Sequence, residues 1–155
     1  MPTGMEQVVH ASGKKDGLRR ARREDIHALI PLTSGPMVGR VRALRRLLKT
    51  LVADIYVRCS DDEIHGCVAI IYRRSMQQGG LTATIDLLFS TDGGRSGDQV
   101  REELLDLAFH RARRRGCVAI DCATDDKQLA RAITARGFQP GGTQWVASLR
   151  KDTTE

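Results

Sequence analysis

Aromatic residues make up only 4% of the 155 residues, and none sits in a string suited to stacking bases. That composition argues against a single-strand nucleic-acid module. Cysteines are few as well, at positions 59, 67, 117 and 122, with no C-x-x-C pair, and the four histidines at 10, 27, 65 and 110 are scattered. No metal-ligand spacing results, so no metal is expected. Cys59 and Cys67 flank a hairpin turn and are placed to face each other, but in a reducing compartment buried thiols are the plainer reading. Long apolar runs are missing too. The run Cys67 to Ile71 falls far short of the roughly 18 to 20 residues that cross a bilayer. The polar N-terminus lacks a signal-peptide apolar segment, so a cytoplasmic protein with no membrane partner is expected. Internal repeats and low-complexity tracts are also absent.

What is present suits one packed domain. Hydrophobic residues are 41% and charged residues 28%, near the globular average, and the length matches a single unit at about 100 to 200 residues each. Residues 1–16 mix Gly, Ser and Lys without periodicity and read as a flexible leader. Residues 17–150 read as the domain and 151–155 as a polar tail. The net charge of +6 comes mainly from arginine and favours an anionic partner, whether nucleic acid, a phosphorylated cofactor or acidic lipid. Charge alone does not choose among them.

Along the chain, Leu18 to Arg22 suits a strand, and Glu24 and Asp25 place negative charge at the start of a helix carrying Ile26, Leu29 and Ile30 on one side. After Gly35-Pro36 a second helix sets Val41, Leu44, Leu48 and Leu51 on one stripe, with Arg42, Arg45, Arg46 and Lys49 on another. The basic stripe reads as a solvated face in preference to a phosphate-binding surface. Ile55 to Cys59, Cys67 to Arg73 and Leu81 to Ser90 form an antiparallel meander. The glycine-rich segment Thr91 to Gly97 leads into a long helix with Val100, Leu104, Leu107 and Ala108 inward, ended by Gly116. Cys117 to Cys122 is then a strand parallel to its predecessor through a right-handed crossover. A further helix, capped by Asp125 or Asp126, runs to Ala135 and stops at Gly137. Phe138 to Leu149 supplies a last strand, broken by Pro140-Gly-Gly142, with Trp145 and Phe138 as core or dimer-contact residues. The expected fold is α/β (α+β), one central mixed sheet with helices on both faces. A sheet edge near the last strand leaves a homodimer open.

A glycine-rich turn between strand and helix leaves main-chain amides aimed at a helix N-terminus, where the macrodipole favours anions. Gly93-Gly94-Arg95-Ser96-Gly97 is therefore either a phosphate cradle, with Arg95 pairing to phosphate oxygens, or a loop that merely turns a corner. Asp98 would repel a phosphate there, and Ser96 with Gln99 fits a structural capping box.

Three strings together resemble the GNAT superfamily of acetyltransferases over residues 17 to 149. They are Leu18-Arg-Arg-Ala-Arg-Arg-Glu-Asp-Ile26, the helix from Leu104-Leu105 to Gly116-Cys117, and Leu129 to Gly137-Phe138. The resemblance implies direct transfer of an acetyl group from acetyl-CoA to a primary amine of a small molecule or peptide. It implies a thioester polarised by a strand amide and a pyrophosphate held by the glycine loop, with cofactor contacts at Leu88, Phe89, Ser90, Gly94, Arg95, Ser96, Gly97, Asp98 and Gln99. It also places Asp86, mid-strand in Ile85-Asp86-Leu87-Leu88, where relatives carry a catalytic carboxylate. Burial among apolar neighbours would make Asp86 a better proton acceptor; the other reading is a carboxylate paired with arginine. Two positions depart from the family pattern. Gln99, and Arg101 in one of two alignments, stand where the loop motif has glycine. Ile133 occupies the place of the tyrosine that many relatives use to protonate the leaving thiolate. Thr134, Cys122 and Tyr72 are the remaining donors in principle. The alternative is thus a catalytically degenerate GNAT-fold protein acting as a binding or regulatory module, with nucleic-acid association through the second helix a weaker third.

Overall fold

Alternation of apolar and polar residues builds the sheet. In the computed structural model, which describes residues 17–32, 37–61, 63–122 and 127–138, strand β1 is Gly17–Arg20, β2 Ala53–Ser60, β3 Glu63–Ser75, β4 Gly80–Ser90 and β5 Ala119–Cys122. They lie in the order β1-β2-β3-β4-β5. The first four pair antiparallel, and β5 joins β4 in parallel, Thr82 opposite Ala119 to Ile85 opposite Cys122. The parallel pair follows because the connection carries a whole helix, α3 (Gly94–Arg114).

Period-two patterning gives each face its own core. On one face Ile55, Val57, Cys67 and Ala69 pack with Ile26, Leu29 and Ile30 of α1 (Ile26–Leu29) and its flanking 3-10 turn, and with Leu44 of α2 (Met37–Lys49). On the other, Val68, Ile70, Tyr72, Ala83 and Ile85 pack beneath Val100, Leu104, Leu105 and Ala108 of α3 and Ile133 of α4 (Lys127–Ala135). The mixed sheet with helices on both faces is the one expected. Gly66 lets α3 approach β3, since a Cβ there would lie 2.6 Å from Val100 Cγ1 and 2.8 Å from the Phe89 carbonyl oxygen.

The structure departs from expectation locally. Strand β1 ends at Arg20 and Arg22 opens the first 3-10 turn, because the Arg22 amide is held by the Asp25 carboxylate at 2.6 Å. Leu51 is 85% exposed, since α2 stops at Lys49 and the chain turns before β2. Arg42, Arg45, Arg46 and Lys49 are exposed, as the solvated-face reading required. The glycine-rich connection is shorter than expected, because α3 already starts at Gly94. None of the four cysteines is in a disulfide; β2–β3 register sets Cys67 opposite Val57 and Cys59 opposite Ile64, not each other. Burial pushes the Cys67 thiol up to about 12. The leader, residues 125 and 126, Pro140 to Gly142, Trp145, the strand expected to Leu149 and the tail lie outside the described residues.

Candidate functional site

Two features meet where β4 leaves β5. Pairing with β5 ends at Ile85, and β4 carries a bulge at the next residue: Ile70 faces Ile85 and Ala69 faces Leu87, so Asp86 is the extra residue. Among the described residues, the β5-side edge of β4 from Asp86 to Ser90 has no strand partner. Within the described residues its main-chain groups on that side are left without a ladder partner. The same bulge corrects the expectation for Asp86, which is exposed rather than buried, because an inserted residue is turned out of the period-two pattern. Leu88 packs against the α3-side core, and Phe89 against the α1/α2-side core.

Beyond β4 the chain folds back tightly. Ser90 Oγ accepts from the Asp92 amide at 3.2 Å, and Ser96 Oγ donates to Asp92 Oδ2 at 3.3 Å. Gly94 has φ +61°, which a side chain rarely adopts. Gly97 is buried so closely that a Cβ would lie 2.0 Å from the Asp92 carbonyl oxygen. The N-cap of α3 is Gly93, with no side-chain cap. The expected Ser96–Gln99 capping box is not formed, since both residues already lie inside the helix and the Ser96 hydroxyl is turned to Asp92. The first amides of α3 therefore face outward at the positive end of the macrodipole, with Arg95 exposed beside them.

Helical spacing separates the remaining residues. Ser96, Gln99, Val100 and Glu103 face a cleft of about 290 Å³ shared with Arg58, Ser60, His65 and Asp92. Asp98 and Arg101 form an ion pair on the opposite flank of α3. Of the two residues at glycine positions of the motif, Arg101 therefore lies away from that cleft, whereas Gln99 lines it.

The far end of the sheet holds a cluster that sequence reading missed. Asp54 is fully buried; its carboxylate accepts from Arg20 Nη2 (2.8 Å), the Tyr72 hydroxyl (2.7 Å), Arg111 Nε (3.2 Å) and Arg115 Nη2 (3.2 Å). Burial pushes this carboxyl up, but the Tyr72 hydrogen bond and the two helix arginines outweigh it and hold it below the ordinary range. Burial and the bond to Asp54 together raise the Tyr72 phenol. Tyr72 is thereby committed to structure. Thr134 is exposed and donates to the Ala130 carbonyl at 2.7 Å, while burial raises the Cys122 thiol. Ile133, 8% exposed, is part of the core. The signal for Asp54 was a lone charge at the head of an apolar strand, Ala53-Asp54-Ile55-Tyr56-Val57.

No protein-family model matches the chain, and no curated protein matches it in sequence. Solved structures do match. A transcriptional regulator from Bacillus halodurans C-125 is similar at TM-score 0.73 and 23% identity, covering 85% of this chain and 98% of that one. A predicted acetyltransferase with acetyl-CoA from Clostridium acetobutylicum is similar at TM-score 0.71 and 17% identity, covering 85% and 95%. An aminoglycoside 6'-N-acetyltransferase from Acinetobacter haemolyticus is similar at TM-score 0.69 and 17% identity, covering 87% and 99%. The chain, with its five-stranded mixed sheet, thus shares the fold of these solved structures, acetyltransferases among them.

Proposed function

We propose that the protein is an N-acetyltransferase moving an acetyl group directly from acetyl-CoA to a primary amine of a small molecule or peptide. The observation that carries this reading is the edge of β4 from Asp86 to Ser90, unpaired among the described residues and ending at a helix N-terminus with no side-chain cap. The pantetheine arm would lie along that edge and hydrogen-bond its main chain. The pyrophosphate would sit on the amides of Gly94, Arg95 and Ser96, where the dipole and Arg95 favour it. The solved neighbour with acetyl-CoA supports the donor, and the aminoglycoside acetyltransferase supports a small amine acceptor.

In such a reaction a β4 amide polarises the thioester carbonyl and the amine nitrogen attacks it. A C–N bond forms, the C–S bond breaks, and Asp86 at the bulge takes the ammonium proton directly or through water. The leaving thiolate takes its proton from water, since Ile133 has none to give. That same residue favours one second reading, a protein that binds acetyl-CoA without turning it over.

Titration with acetyl-CoA followed by melting temperature tests the first step. A ligand at 100 times its dissociation constant should add about 2.7 kcal/mol of stability. No shift at millimolar acetyl-CoA would overturn the proposal. Binding without release of free CoA thiol across a panel of amines would select the non-catalytic reading.

A further inference from the structure

Three side chains lining the cleft beside Ser96 and Gln99 stand in an order that the acetyl-CoA reading does not use. Ser60 Oγ lies 2.8 Å from His65 Nε2, and His65 Nδ1 lies 3.4 Å from Asp92 Oδ1. Ser60 closes β2 and His65 sits early in β3, so a tight hairpin brings residues five apart into contact; Asp92 arrives from the end of β4. With the imidazole proton on Nδ1, donated to Asp92, Nε2 is left to accept from the Ser60 hydroxyl. A nucleophile, a base oriented by a carboxylate, and an open face are thus present together.

The arrangement is more than a tether for the β4–α3 turn. Main-chain bonds already fix that turn to the hairpin, since the Thr91 amide and hydroxyl both donate to the His65 carbonyl, at 2.9 and 3.3 Å. The side chains run instead into the cleft of about 290 Å³, where Arg58 and Gln99 also project. Arg58 donates through Nε to Glu103 at 2.9 Å, so this pair cancels in charge. A neutral guest suits the cleft better than an anion, because Asp92 remains as a net negative charge beside it. The Arg58 guanidinium and the Gln99 amide supply N–H donors on its wall for charge developing on a carbonyl oxygen.

We propose that Ser60, His65 and Asp92 form a second acyl-transfer site, with Ser60 as nucleophile toward small neutral acyl esters; this does not rest on the acetyl-CoA reading. Ser60 Oγ bonds to the acyl carbon and the ester C–O bond breaks. The serine proton passes to His65 Nε2 and from there to the departing alkoxide. Water then adds to the acyl carbon, giving its proton to His65, and the acid leaves as Ser60 regains a proton. Asp92 is a positioning residue that holds the imidazole tautomer.

The test is reaction of the full chain with p-nitrophenyl acetate and with diisopropyl fluorophosphate, read by nitrophenolate release and peptide mass spectrometry. One adduct on Ser60 is expected, absent in Ser60→Ala. His65→Gln should slow its formation roughly 10²-fold or more. Asp92→Asn should slow formation while leaving the final extent of labelling on Ser60 unchanged, with partial rescue by Asp92→Glu. Melting temperatures of all variants within a few degrees of the parent certify the fold. An adduct persisting in Ser60→Ala, or no labelling of Ser60 in the folded parent protein, would overturn the proposal. Equal labelling rates in the parent and His65→Gln would overturn it too.

Discussion

Asp54→Ala is expected to destabilise the protein by about 3–5 kcal/mol, the cost of removing one partner from a buried ionic group. The carboxylate is fully buried and receives three guanidiniums and a phenol. Without it, Arg111 and Arg115, one turn apart at the end of α3, are left side by side without the carboxylate that pairs with both, and the buried Tyr72 hydroxyl loses its acceptor. Arg20 is more than half exposed, so water compensates it and it adds little. Asp54→Asn keeps an acceptor and should cost less. The pH dependence has a definite sign. A carboxyl held below its unfolded value of about 3.9 contributes stability that is complete above that value and lost as pH falls through the lower folded one. Urea midpoints measured from neutral pH into the acid range should therefore fall, and Asp54→Asn should flatten that limb. Asp25 contributes to the same limb with the same sign. Burial pushes its carboxyl up, but Arg19, at 2.7 and 2.9 Å, and the Arg22 amide hold it down. Equal stabilities for Asp54→Ala and the parent would remove the cluster from the account of the fold.

The second large effect is expected at Gly97. A methyl group there would sit 2.0 Å from the Asp92 carbonyl oxygen and 2.9 Å from its carbon, a collision with main chain that no rotamer relieves. Gly97→Ala must push the β4–α3 turn away from the helix, at roughly 1–3 kcal/mol. It should also weaken acetyl-CoA binding, because the outward amides of Gly94 to Ser96 are placed by that turn. Gly93→Ala is the control. Gly93 has nothing within 4 Å of an added Cβ and an ordinary φ of −88°, so its stability should change by a few tenths of a kcal/mol. Urea denaturation of the two variants checks the contrast, and similar midpoints would contradict the packing described here.

The architecture was readable in advance because it rests on patterning that local residues dictate. Period-two alternation in Ala53–Ser60 and the spacing of Val100, Leu104 and Ala108 leave few alternatives for which face is buried. The site was less readable because it depends on register. The bulge that turns Asp86 outward is a mismatch between β3 and β4, invisible in either strand alone. Asp54 and the Ser60–His65–Asp92 chain join residues 18 to 61 positions apart as well as near neighbours. Gly97 is the instructive case. Its place in a glycine-rich stretch suggested a phosphate contact, and the structure adds a packing reason at the Asp92 carbonyl that the stretch alone does not reveal.

Hydrogen–deuterium exchange with and without saturating acetyl-CoA reads donor binding directly at the β4 edge and the start of α3. Slowed exchange is expected at the amides of Asp86 to Leu88 and of Gly94 to Ser96, with little change around Ser60 and His65. Slowed exchange at the Ser60–His65 hairpin with none along β4 and the first turn of α3 would contradict donor binding there.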